Sequence, residues 1–86
     1  MFVILSYDVI SKNDPKVMKI CRRYLTHRHY SVFDGIITEA KLNKLKEEII
    51  KVIDTKVDSI CIYEFESLRF SSKEMIGPVG ADDNII

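Results

Sequence analysis

Asp8 is the residue whose type and place point most directly to chemistry, because its carboxylate ends the apolar run Phe2-Val-Ile-Leu-Ser-Tyr7. A Mg²⁺ ion takes oxygen ligands, keeps several waters, and is commonly held by one or two carboxylates plus a substrate phosphate. The competing reading is structural, an aspartate that closes the turn after its strand. Ser6 shares the strand face of Asp8, where its hydroxyl could hold a metal water or satisfy backbone, whereas Tyr7 alternates to the other face, as a core residue would. His27 and His29 are the only histidines. They stand two apart with no third ligand in view, which argues against a zinc site. Cys21 and Cys61 fit no metal spacing and lie in apolar runs. They read as buried reduced thiols, in keeping with a cytoplasmic protein.

Lys+Arg and Asp+Glu balance at 13 each, so net charge discriminates no partner, but its distribution does. Lys12, Lys16, Lys19, Arg22, Arg23 and Arg28 precede His29 with Asp14 as the only acid among them. Such a basic front is an anion or nucleic-acid footprint, or else a solvated helix face. Phe33 could stack on a base, or fill the core as strand phenylalanines commonly do. No glycine-rich ligand loop and no aromatic RNA-recognition motif supports a small-molecule regulatory or RNA-binding module. Met1 to Leu5 is too short an apolar run for a signal peptide or membrane span, so no membrane partner is expected.

The elements that must position these residues can be read along the chain. Its 86 residues suit one domain. Phe2–Tyr7 reads as a buried strand with Val3, Leu5 and Tyr7 on one face and Phe2, Ile4, Ser6 and Asp8 on the other. Asp14 as a cap and Pro15 at the first helical position start a helix whose Val17, Ile20, Cys21, Tyr24 and Leu25 recur at helical spacing. Thr26 to Thr38 is strand-rich. Asp34-Gly35 signals a hairpin turn between Tyr30-Ser-Val-Phe33 and Ile36-Ile37-Thr38, with a turn near Tyr30-Ser31 as the alternative.

Thr38 caps a second helix, from Glu39 to about Ile53. Leu42, Leu45, Ile49, Val52 and Ile53 form its apolar stripe, and the pairs Lys44/Glu48 and Glu47/Lys51 support its solvated side. Asp58 to Glu66 reads as a strand and Leu68 to Phe70 as a further short one. Gly77-Pro78 and Gly80 then break the chain, which separates a domain over 1–78 from a tail over 79–86. The order β-α-β-β-α-β is the ferredoxin-like α+β arrangement, with both helices on one face of the sheet. Yet Phe2 and Ile4 oppose Val3 and Leu5, and Cys61, Tyr63 and Phe65 oppose Ile60 and Ile62, so both sheet faces are apolar. A solvated face would alternate with polar residues. A sheet-to-sheet homodimer is the simplest cover, since two-fold assemblies are the commonest. If the helices take the Val3 face, Asp8 lies on the dimer face near the axis.

Val3-Ile-Leu-Ser-Tyr-Asp-Val9 resembles the opening strand of the small CRISPR-associated nuclease family, the partner of the CRISPR integrase in spacer acquisition. Cys21-Arg-Arg-Tyr-Leu25, Tyr30-Ser-Val-Phe-Asp-Gly35, Thr38-Glu-Ala-Lys-Leu42 and Asp58-Ser-Ile-Cys-Ile-Tyr63 resemble its later landmarks, in order and over nearly the whole chain. The resemblance implies a ferredoxin-like homodimer in which the two Asp8 side chains share Mg²⁺ or another divalent cation. It implies a metal-dependent endonuclease or endoribonuclease cleaving RNA or duplex DNA, or alternatively a non-catalytic scaffold that binds duplex DNA and bridges integrase dimers. Asp8, Tyr7, Ser31 and Phe33 fall on the family pattern and form the expected catalytic set. The tail is expected to reach the partner protomer or the integrase. Two departures stand out: Lys12, Asn13 and Asp14 occupy a stretch where many members carry an arginine, and His29-Tyr30 stands where the family often shows Gln-Asn or Gln-Tyr. The second puts an imidazole near the site, able to bind phosphate or shuttle a proton.

Overall fold

Val3, Leu5 and Tyr7 decide which way the first strand faces, and the helices cover them. A computed structural model of the chain describes residues 1–67 and 70–78. Its elements are β1 (Phe2–Asp8), α1 (Asp14–Arg22), β2 (Thr26–His29), β3 (Val32–Ile36), α2 (Glu39–Val52), β4 (Ser59–Ser67) and β5 (Phe70–Ile76). The strands form one antiparallel sheet in the order β2-β3-β1-β4-β5. This is the expected ferredoxin-like arrangement with an added edge strand beside β4.

β1 is central, and its register builds the core. Leu5 opposes Phe33 on one side and Ile62 on the other, and Tyr7 opposes Ile60. Val17, Ile20 and Cys21 of α1 and Leu42, Leu45 and Ile49 of α2 close over them. Burying each large aliphatic side chain here contributes about 1.5–3 kcal/mol. Among the described residues no helix lies on the other sheet face.

Several boundaries differ from the sequence expectation for local reasons. Asn13, not Asp14, is the cap of α1, and it acts through its carbonyl, which accepts from Lys16 and Val17 N–H at 3.0 and 3.1 Å. Asp14 instead places its charge in the first turn, where the helix dipole favours it. After Arg22 the helix tightens, with Arg23 N–H donating to Ile20 O and Tyr24 N–H to Cys21 O. The hairpin turn falls at Tyr30-Ser31, the alternative position, with Tyr30 in the left-handed region at φ 41°. Asp34-Gly35 lies inside β3, where Gly35 pairs with Val3 and Asp34 is tied to Arg28 across the hairpin.

Thr38 caps α2 as expected, its Oγ1 accepting from Lys41 N–H at 3.2 Å. Glu48 turns away from Lys44 and binds Arg23 and the Tyr24 hydroxyl, tying α2 to α1. Asp58 is a turn residue just before β4 rather than part of it. The short final strand is in fact β5, seven residues paired along β4. Leu68, Arg69 and the tail over 79–86 lie outside the described residues.

Candidate functional site

The period-two alternation of β1 carries Asp8 to the face that the helices leave open. It opposes Ser59 at the last rung of the β1–β4 ladder and is exposed. Around it is an open concavity of about 360 Å³, lined among others by Ser6, Ser31, Ser59, Cys61 and Tyr63. Among the described residues no hydrogen bond or ion pair engages the Asp8 carboxylate. The Asp8 carboxylate and the serines that share its concavity are hard oxygen donors, which suit Mg²⁺ rather than a soft metal, although Val32, Cys61 and Met75 line the same space. The described residues contain no cluster of three His, Cys, Asp or Glu side chains able to hold a metal. Among the described residues Asp8 is the one carboxylate lining this concavity, so any further ligands of a cation held there would be hydroxyls, water, substrate or groups of another chain.

The other expected catalytic residues separate. Ser31 borders the concavity, and its carbonyl accepts from Tyr7 N–H at 3.1 Å, which joins the end of β1 to the β2–β3 turn. Tyr7 and Phe33 lie beneath it, on the helix side. Phe33 is fully buried, with its ring 6.2 Å from Tyr7 and 4.6 Å from His27. It presents no face to a base, so its part is packing. Burial pushes the Tyr7 hydroxyl up to about 12, with Asp14 and Cys21 adding to the shift, so it stays protonated and is no general base. Burial likewise pushes the Cys21 thiol up to about 12, as an inert core thiol requires.

The basic residues do not form one patch. Lys16, Lys19 and Arg22 are exposed on α1, with Lys12 in the preceding loop, and α1 packs on the sheet face opposite Asp8. Arg23 is engaged by Glu48. Arg28 donates to both carboxylate oxygens of Asp34, at 2.9 and 3.0 Å, and that carboxylate raises its pKa further. His29 is exposed on the edge hairpin, its ring 4.0 Å from that of Tyr30.

The sequence reading missed two polar centres. Lys46 of α2 reaches Glu74 at 2.5 Å and Glu64 at 3.8 Å, fastening the helix to β4 and β5. Asp58 is fully buried and accepts four hydrogen bonds, two from backbone and side chain of Ser11 and one each from Ile10 and Asp54. The signal for it was an aspartate at the border of a strand-like run, since aspartate is depleted in strands. Burial acts to raise the Asp58 pKa, but the hydrogen bonds from Asp54, Ser11 and Ile10 outweigh it and hold the carboxyl below its ordinary range.

Comparison with known proteins places this geometry. Residues 1–73 match the family described as CRISPR associated protein Cas2. The CRISPR-associated endoribonuclease Cas2 of Thermotoga maritima is 37% identical over 86 residues, covering 100% of this chain and 99% of that one. The protein of the same name from Fusobacterium nucleatum is 38% identical over 82 residues, covering 90% of this chain and 77% of that one. A crystal structure of a Cas2 protein superposes with a TM-score of 0.74 at 34% identity, covering 81% of this chain and 79% of its own. The Streptococcus pyogenes Cas2 structure at pH 6.5 gives a TM-score of 0.67 at 31% identity, covering 76% and 86% of the two chains. Fold and sequence agree, and the chain belongs to the Cas2 family of CRISPR-associated proteins.

Proposed function

We propose that the chain is a metal-dependent nuclease of CRISPR adaptation, working as a homodimer in which two Asp8 carboxylates face each other across the open sheet. The observation that carries this reading is the unpartnered Asp8 carboxylate, in a concavity it shares with Ser6, Ser31 and Ser59, on a face that neither helix of the described residues covers. Relatives named as endoribonucleases support it. The apolar side chains of that face support the dimer: Phe2 and Ile36 are exposed, and Ile4, Phe65 and Met75 are half-buried. An uncovered apolar face of this kind marks an interaction surface.

Asp8 from each protomer would hold Mg²⁺. A bound Mg²⁺ neutralises charge on a phosphodiester and makes a coordinated water more acidic. The chain's own contribution is placement. β1 fixes the Asp8 backbone through its ladder to Ser59, and Ser6 lines the same concavity two residues away. Their hydroxyls can orient water beside the carboxylate. Tyr7 and Phe33 make the floor rigid from below.

The test is cleavage of single-stranded RNA and of duplex DNA with Mg²⁺, by the wild type and by Asp8→Asn. The reading expects wild-type cleavage that chelation stops and that the variant lacks. Equal cleavage by the two proteins would overturn it.

A second reading has its own observation, since Lys16, Lys19 and Arg22 point outward on the face opposite Asp8. That surface fits a scaffold that tracks duplex DNA through phosphate contacts and docks the CRISPR integrase, the tail over 79–86 serving the docking. DNA binding that survives Asp8→Asn and weakens on neutralising these three residues, with no cleavage by the wild type, would favour it.

A further inference from the structure

The loop that follows Asp8 is tied down from an unexpected direction. Asp58 Oδ1 accepts from the backbone N–H of Ile10 and of Ser11, each at 3.0 Å. Its Oδ2 accepts from the Ser11 hydroxyl at 2.7 Å and from Asp54 N–H at 2.9 Å. The carboxylate is itself rigidly mounted. Asp58 N–H donates to Asp54 O at 2.7 Å, and the next residue, Ser59, pairs with Asp8. On the other side Gly77 packs so closely that a Cβ there would stand 2.0 Å from the Asp58 carbonyl oxygen.

These bonds bear directly on Asp8. An aspartate at the end of a strand ordinarily folds onto its own backbone and accepts from the N–H two residues on. For Asp8 that donor belongs to Ile10. Asp58 holds it, and holds the Ser11 N–H beside it with the same oxygen. The local partner that would neutralise Asp8 is thereby withheld, and among the described residues its carboxylate engages none.

We propose that Asp58 is a positioning residue for Asp8: by capturing the Ile10 and Ser11 amides it prevents a local turn onto Asp8 and keeps that carboxylate free for a divalent cation. The purpose rests on the nuclease reading above, whereas the competition for the Ile10 amide stands without it.

The direct test is the scalar coupling across the hydrogen bond from the Ile10 amide nitrogen, measured by NMR in metal-free protein. In the wild type the coupling should run to the Asp58 carboxyl carbon, and in Asp58→Ala to that of Asp8. Mn²⁺ binding should weaken about tenfold in Asp58→Ala, the loss expected when a competing hydrogen bond forms on the ligand. RNA cleavage should then fall in kcat with KM unchanged. Asp58→Asn, which keeps an oxygen acceptor, should retain most of the wild-type affinity. A wild-type coupling from Ile10 to Asp8, or Mn²⁺ binding in folded Asp58→Ala equal to wild type, would overturn the proposal. Should Asp58→Ala not fold, the wild-type coupling and the affinity of Asp58→Asn decide. A wild type that binds no Mn²⁺ and cleaves nothing would sink the nuclease reading, and the coupling would still decide which carboxylate owns the Ile10 amide.

Discussion

Asp8 and Ser59 oppose each other on the last rung of the β1–β4 ladder, and the residue just before Ser59 is the buried Asp58 that binds the loop following Asp8. One turn, between α2 and β4, therefore fixes Asp8 twice. The ladder sets its backbone, and the Asp58 carboxylate sets the chain beyond it. The Asp8 carboxylate takes part in no hydrogen bond among the described residues, so what holds the site is separate from what would act in it.

That separation predicts how Asp58 responds to pH. Hydrogen bonds outweigh burial and hold its pKa in the folded chain below the ordinary 3.8. The unfolded chain then binds more protons than the folded one as the medium becomes acid, so stability rises with pH in that window. The contribution is complete above the ordinary value and is lost as pH falls through the lower, folded one. Asp58→Asn should unfold at lower urea at pH 7, by about 2 kcal/mol, and should show a flatter decline below about pH 4. Urea melts across pH read both effects.

Gly77 is predicted to tolerate no side chain. It has φ +102°, and an added Cβ would meet the Asp58 backbone. Gly77→Ala should destabilise by about 2–3 kcal/mol through left-handed strain, with a further cost for displacing the Asp58 turn. Thermal unfolding checks this, and hydrogen exchange at Ile10 and Ser11 should accelerate with it.

The open sheet face predicts an assembly. Ile4 sits between Asp34 and Tyr63 on that face. Ile4→Asp should leave the helix-side core and the circular dichroism spectrum intact but shift sedimentation from dimer to monomer. Burying an unpaired carboxylate in a dry interface costs several kcal/mol. If the two protomers share the site as proposed, cleavage should fall with the dimer.

Much of the fold was legible because β1 and the two helices keep clean periods. Val3, Leu5 and Tyr7 alternate with Phe2, Ile4 and Ser6, and Leu42, Leu45 and Ile49 recur at helical spacing, so the two strand faces and the helix stripes followed from pattern, while packing decided that the helices take the Val3 face. The hairpin was ambiguous because Asp34-Gly35 is a strong local turn signal. Pairing of Gly35 with Val3 and the Arg28–Asp34 ion pair overrode it, two contacts that depend on distant or folded-back chain. Asp8 was legible as a carboxylate at a strand end, but its freedom was not. That depends on Asp58, which is 50 residues away in sequence and reaches Ile10 and Ser11 only after α2 has returned the chain to β1. For Tyr7 and Phe33 the strand alternation and the habit of strand phenylalanines already pointed to the core beside the family pattern, and the register against Ile60 and Leu5 puts both there.

The central claim is that two Asp8 carboxylates share one cation, and the most direct measurement is the stoichiometry of Mn²⁺ binding by electron paramagnetic resonance. One bound Mn²⁺ for each pair of wild-type protomers, lost in Asp8→Asn while that variant stays dimeric, is the predicted result. Binding of one Mn²⁺ to every protomer, or undiminished binding by Asp8→Asn, would contradict the account.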